Sequence, residues 1–221
     1  MIDPRGGGES GHTTVAFVNY LPALQEGAHV DAAAINGVAD EGFLIGDGKV
    51  GFTLELRSAM SAFKNALGVY KVDADGNIFD AHIVFSNTLN VSEGAKTVTL
   101  GTPGNGVEIG FFLIQDGFAK FANLPDNLSF VTPDGQPANV DGGLPVLLKS
   151  ATLGVLSGAT IFHSFAALNP GEAEQVLSGV ASSGHELLIG FEDLPSASGD
   201  DDFQDVVVAV HLAGNGNLVI L

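Results

Sequence analysis

The sequence predicts an all-β fold, a two-layer antiparallel β-sandwich of jelly-roll type with at most one or two short helices. Three observations carry this. Thirty Gly and nine Pro punctuate short runs of Val, Ile, Leu and Phe across 221 residues, the pattern of many brief strands joined by tight turns. Apolar content is 45% with a mean hydropathy of +0.30, enough for a large core. Finally, a chain of this length built from short strands commonly stays a single domain.

Taken in order, residues 1–11, "MIDPRGGGESG", lack the apolar stretch of a secretory signal and are expected to be a flexible leader, an expression remnant or the cut end of a larger protein. Residues 12–221 are expected to form one β-sandwich domain, with no internal repeat. Strands are expected at Thr14–Asn19, Val50–Leu56, Leu67–Val72, Asn77–Phe85, Lys96–Leu100, Glu108–Ile114, Leu128–Val131, Val146–Leu148, Thr160–Phe165, Glu186–Phe191, Val206–His211 and Asn217–Leu221. "VVVAV" is apolar on both faces and belongs at the centre of a sheet, whereas "FTLEL" alternates and should keep one face in water. Two short helices are expected, at Ser58–Ala66 and at Pro170–Gly179, the latter because Pro opens it and Glu172 and Glu174 follow.

Charge and cysteine content exclude several functions. Eight Lys plus Arg against 26 Asp plus Glu give a formal charge of -18, which repels nucleic acid and anionic lipid and attracts divalent cations. No cysteine is present, so disulfides and thiolate metal sites are ruled out, and the composition fits export without disulfide formation. No apolar stretch of about 18 residues is available to insert in a membrane as a helix.

Most short motifs resolve into structure. In "VDADGNI", Asp73, Asp75 and Asn77 alternate as in an EF-hand, but Gly76 comes one place early and Val84 stands where that loop needs a bidentate Glu. A hairpin turn at Asp75–Gly76 explains the stretch better. "GTPGNGVEIG" has Ile109 where a dinucleotide loop needs Gly. The six His, at 12, 29, 82, 163, 185 and 211, form no zinc motif, and no Ser lies in G-x-S-x-G. Asn90 and Asn127 open glycosylation sequons, which are common by chance.

One stretch resists a structural explanation. "GFEDLPSASGDDDFQDVVVAV", 190–210, places Glu192, Asp193, Asp200, Asp201, Asp202 and Asp205 between two apolar strands with no Lys or Arg among them. Like charges at contact distance repel by about 1 kcal/mol even in water, and more beside a core. Calcium accepts six to eight oxygens from such a flexible, carboxylate-rich loop. Glu192, Asp193, Asp200, Asp202 and Asp205 are the candidate metal ligands. Asp201 is left out, because alternate residues of extended chain face opposite ways. The competing reading is a solvated acidic hairpin loop.

These residues resemble a bacterial family, the domain of unknown function DUF4114, with its signature G-F-E-D-L, a short gap, then G-D-x-D-F-N-D-V-V. "NALGVYKVDADGNIFDAHIVF" resembles that family's N-S-L-G-V-Y-x-x-D-x-D-G block, "IGFFLI" its central strand and "FHSFAALNPGEAEQVLSG" its L-N-P-D-G segment. The resemblance implies a calcium-binding β-sandwich module of large secreted or surface proteins of the RTX type, exported by a type I-like route. It puts Glu192, Asp193, Asp200, Asp202 and Asp205 on the family's acidic positions. Gln204 replaces the usual Asn, and Glu172 stands where Asp or Gly is usual. The expected function is therefore an extracellular, non-enzymatic module in which Ca²⁺ stabilises the 190–210 hairpin. Alternatives are a calcium-dependent adhesin or lectin-like module that binds a cell-surface glycan, and a hydrolase with structural calcium that uses His163 or His185.

Overall fold

The computed structural model describes residues 24, 28–30, 44–121, 124, 127–142, 145–180, 186–195 and 197–213. Among them two antiparallel sheets face each other. The smaller has the order β11 (Val176–Val180), β12 (Leu187–Phe191), β13 (Val206–Leu212), β2 (Phe52–Ala59) and β5 (Thr97–Gly101). The larger runs β1 (Leu44–Ile45), β6 (Glu108–Ile114), β3 (Ala66–Val72), β4 (Ile78–Phe85), β7 (Leu128–Val131), β8 (Leu147–Ser150) and β9 (Gly154–Val155), with β10 (Ile161–His163) beside the second half of β6. The all-β sandwich read from the sequence is the observed architecture.

The core follows from strand alternation. Leu54 and Leu56 of β2, Ile189 and Phe191 of β12, and Val206, Val208 and Val210 of β13 point at Leu67, Val69, Ile109, Phe111 and Leu113 of the larger sheet, all buried. Each such side chain contributes about 1.5–3 kcal/mol relative to exposure. "VVVAV" lies centrally, between β12 and β2, and "FTLEL" alternates as its pattern requires.

The larger sheet also buries its other face. Tyr70, Phe112, Phe130, Leu148, Leu156, Phe165 and Leu168 form a second core, which is why β3 and β6 read as unbroken apolar runs. The sheet reaches this layer by bending at β4. Asp80 adopts φ 53°, the pairing with β3 shifts there, and a single pair, Ala81 with Leu128, passes the sheet on to β7. Glycine makes the second core close-packed. Gly68 pairs with Phe112 and Gly110 with Tyr70 across β3 and β6, and each ring lies over the opposite glycine where a Cβ would stand.

Several expectations are corrected. Ser58–Ala66 is no helix: Ser58 and Ala59 still pair with β13, residues 60–65 turn the chain, and Ala66 opens β3. Pro170–Gly179 is not helical either. Pro170–Glu172 makes one 3-10 turn, Gly171 enters the left-handed region, and β11 follows. The short α-helix of the described residues, α1 (Gly117–Lys120), lies elsewhere. The expected strands at Thr14–Asn19 and Asn217–Leu221 lie outside the described residues.

Candidate metal centre

The acidic segment joins β12 to β13, whose first pair is Phe191 with Val206. Residues 192–205 must therefore leave and return to adjacent strand ends, which concentrates their carboxylates at one end of the smaller sheet. Gly190 permits the tight return: a Cβ there would collide with the Phe203 carbonyl oxygen. Phe203 is buried with Leu177 and holds φ 53°, as does Asp201. Left-handed backbone at a non-glycine residue costs roughly 1–2 kcal/mol, and it is spent here on either side of Asp202. Alternation of extended chain was the expected reason for separating Asp201 from its neighbours. The left-handed turns at 201 and 203 do it instead: Asp201 faces His29 at 3.6 Å while Asp202 is buried at 1% exposure.

The five other acids converge. Ligand oxygens of Glu192, Asp193 and Asp205 lie within 4.8 Å of one another, and so do those of Glu192, Asp200 and Asp202. All five line a cavity of about 270 Å³ with Met60, Ala62, Phe63, Leu194, Ser198 and Gly199. Glu192 and Asp193 are 0% and 2% exposed. Charged groups are almost never buried so deeply without partners, yet among the described residues no Lys or Arg pairs with Glu192, Asp193, Asp200 or Asp205. Lys and Arg form ion pairs with other acids, as in Arg57 with Glu186 and Lys71 with Asp80.

The carboxylates are aimed by hydrogen bonds. Asp193 Oδ2 accepts from Ser61 Oγ and Asn65 Nδ2, and the Asp193 carbonyl accepts from Gln115 Nε2 at 2.8 Å. The Asp193 amide donates to Asp205 Oδ2 at 2.8 Å, and the Gln204 amide to Asp202 Oδ1 at 3.1 Å. Glu192 Oε1 accepts from the Leu194 amide at 3.1 Å, whereas Glu192 Oε2 is buried with no partner. Burial, reinforced by Asp200, Asp202 and Asp193 and opposed by the Leu194 amide, pushes the Glu192 carboxyl up to about 7. Burial likewise pushes Asp205 up to about 8, with Asp193, Glu192 and Asp202 adding to it and the Asp193 amide opposing it.

The donor set fits calcium. Apart from the Met60 thioether, every side-chain group lining the cavity that could ligate is a hard oxygen, the arrangement is irregular, and Glu192, with its orphaned buried oxygen, is among the lining residues. Magnesium, which demands near-ideal octahedral geometry, suits such a set less well.

Residues 104–213 match the family described as Domain of unknown function (DUF4114). This stretch is similar to DUF4114, as the sequence resemblance implied. The match contains the acidic signature, the G-F-F-L strand and the L-N-P segment, while the N-A-L-G-V-Y block precedes it. No curated protein and no solved structure matches the chain.

Two of the family-like segments have different tasks. In the L-N-P segment, Asn169 accepts from the His163 amide and donates to the carbonyls of His163 and Ala173, clamping a loop. In N-A-L-G-V-Y, Asn65 reaches the acidic cavity: it is fully buried, accepts from the Asp116 amide at 3.0 Å and donates to Asp193. Ser61, Asn65 and Gln115 were not among the residues expected at the site, although Asn65 opens a block already noted for its resemblance to the family. His163 sits in the second core, its ring 4.9 Å from Phe130 and 5.9 Å from Tyr70, and burial lowers it to about 3. His185 lies outside the described residues.

Proposed function

We propose that this protein is a non-catalytic, calcium-binding β-sandwich module of a secreted or surface-exposed bacterial protein, in which Ca²⁺ joins the β12–β13 connection to the β2–β3 connection and so stabilises the fold. Glu192 carries the reading: a fully buried carboxylate with one oxygen unpartnered, in a cavity walled by four further acids. A divalent ion among them supplies the missing partner and offsets the repulsion. At an effective dielectric of about 20, that repulsion is about 3.5 kcal/mol for each charged pair at 4.8 Å.

Binding free energy then becomes folding free energy. Extracellular modules bind calcium with Kd of roughly 10⁻⁴ to 10⁻³ M, so the domain is firm at millimolar calcium outside a cell and looser at the low calcium inside. The formal charge of -18 and the absence of cysteine suit that setting. Thermal melting in calcium, in magnesium and in EGTA tests the proposal. Calcium should raise the melting temperature, EGTA should reverse the rise, and magnesium should have less effect; a melting temperature indifferent to calcium rejects it.

A further inference from the structure

We infer that the cavity is a two-cation site in which Glu192 is shared by both ions; this rests on the calcium reading above. The five carboxylates do not form one cluster. They fall into two triads, Glu192 with Asp193 and Asp205, and Glu192 with Asp200 and Asp202, each with its ligand oxygens within 4.8 Å of one another. Oxygens bound to one calcium at about 2.3 to 2.6 Å lie within about 5 Å of each other. Each triad therefore fits one ion, and Glu192 alone belongs to both. A carboxylate between two cations is an ordinary bridge, as in two-metal sites about 3.5–4 Å apart.

Glu192 is built for that place. It is 0% exposed, and its Oε2 lies buried without a partner while Oε1 takes only the Leu194 amide. Charge points the same way. Five carboxylates carry a formal charge of -5, one divalent ion leaves -3, and two leave -1.

The two positions differ in how far they are prepared. In the first triad, Asp193 is held by Ser61 and Asn65, and Asp205 by the Asp193 amide. In the second, Asp200 is exposed, and the chain from 201 to 203 passes through two left-handed residues. The first position is preorganised, whereas the second must order Asp200 on binding and is therefore weaker. Binding proceeds in two steps, the tighter at Asp193 and Asp205.

Equilibrium dialysis with radioactive calcium, paired with calorimetry on the full chain, tests this. Wild type should bind two ions per chain in two resolved steps. Asp200→Asn alters an exposed side chain and should bind one, retaining the tighter step with its affinity within about threefold. Glu192→Gln should lose both. Circular dichroism in EGTA verifies that each variant folds. One ion per wild-type chain overturns the two-cation inference while the calcium reading stands, and no ion overturns both. Two ions retained by Asp200→Asn overturn the assignment of the weaker position.

Discussion

Glu192→Gln separates a cation site from an acidic loop, because only a cation site makes the substitution abolish a calcium-dependent gain in stability. Without calcium at pH 8, the wild type holds Glu192 ionised against burial and four neighbouring acids. The displacement of its pKa from 4.5 to about 7 corresponds to about 3 kcal/mol of destabilisation. Gln keeps an oxygen for the Leu194 amide and turns an NH₂ toward the aspartates, so the variant sheds most of this cost. In EGTA at pH 8 it should melt higher than wild type, by up to about 6–12 °C at 2–4 °C per kcal/mol for a chain of this size. The sign follows from linkage. Both Glu192 and Asp205 are raised in the folded state, so their contribution is most favourable below their unfolded values near 4 and is lost as pH rises through about 7 and 8. The advantage of Gln should therefore disappear near pH 4. Calcium reverses the ranking of responses: with Kd of roughly 10⁻⁴ to 10⁻³ M, about 10 mM calcium stabilises the wild type by about 1.4 to 2.7 kcal/mol, and the variant gains nothing. The assay is a melt followed by circular dichroism at both pH values, with calcium or EGTA. A variant that melts below wild type in EGTA at pH 8 refutes the reasoning, since Glu192 would then be stabilising on its own.

Two predictions concern the second core. Gly110→Ala drives a methyl into the Tyr70 ring, so urea unfolding should show a loss of about 1–3 kcal/mol with an unchanged calcium increment; an unaltered midpoint removes the steric account of the glycine–aromatic pairs. His163 is held neutral by burial, lowered from 6.5 to about 3. Its stabilising contribution is present above pH 6.5 and is lost as pH falls, reaching about 2 kcal/mol at pH 5. His163→Phe keeps an aromatic ring beside Phe130 and should gain on wild type by that amount between pH 6.5 and 5; parallel pH profiles count against a buried neutral imidazole.

Strands were legible where alternation or a continuous apolar run spoke for itself: β6 and β7 fall on the residues expected, and β13 sits where a strand apolar on both faces must. The helix expectations failed for a common reason. Local signals, a Pro followed by acids at 170–174 and an apolar stretch at 58–66, were outweighed by strand pairing, with the neighbouring β12 for β11 and the distant β13 for Ser58 and Ala59. The bend at Asp80 left no mark in composition. At the candidate site the acids could be counted from the sequence, and all five line one cavity. What positions them could not be read. Ser61, Asn65 and Gln115 lie at least 78 residues from Asp193, and neutral polar residues give no periodic signal. The left-handed turns at Asp201 and Phe203 were also hidden, since neither residue type announces a positive φ.

The bonds from Ser61 and Asn65 to Asp193 span 132 and 128 residues, and in the smaller sheet β2 joins β13 to β5 from far earlier in the chain. Such distant partners meet only after most of the chain-ordering entropy has been lost. Assembly at this end is consequently a terminal event: an unfinished polypeptide presents scattered acids to the solvent, and on the calcium reading proposed above an ion is captured only by the completed tertiary structure.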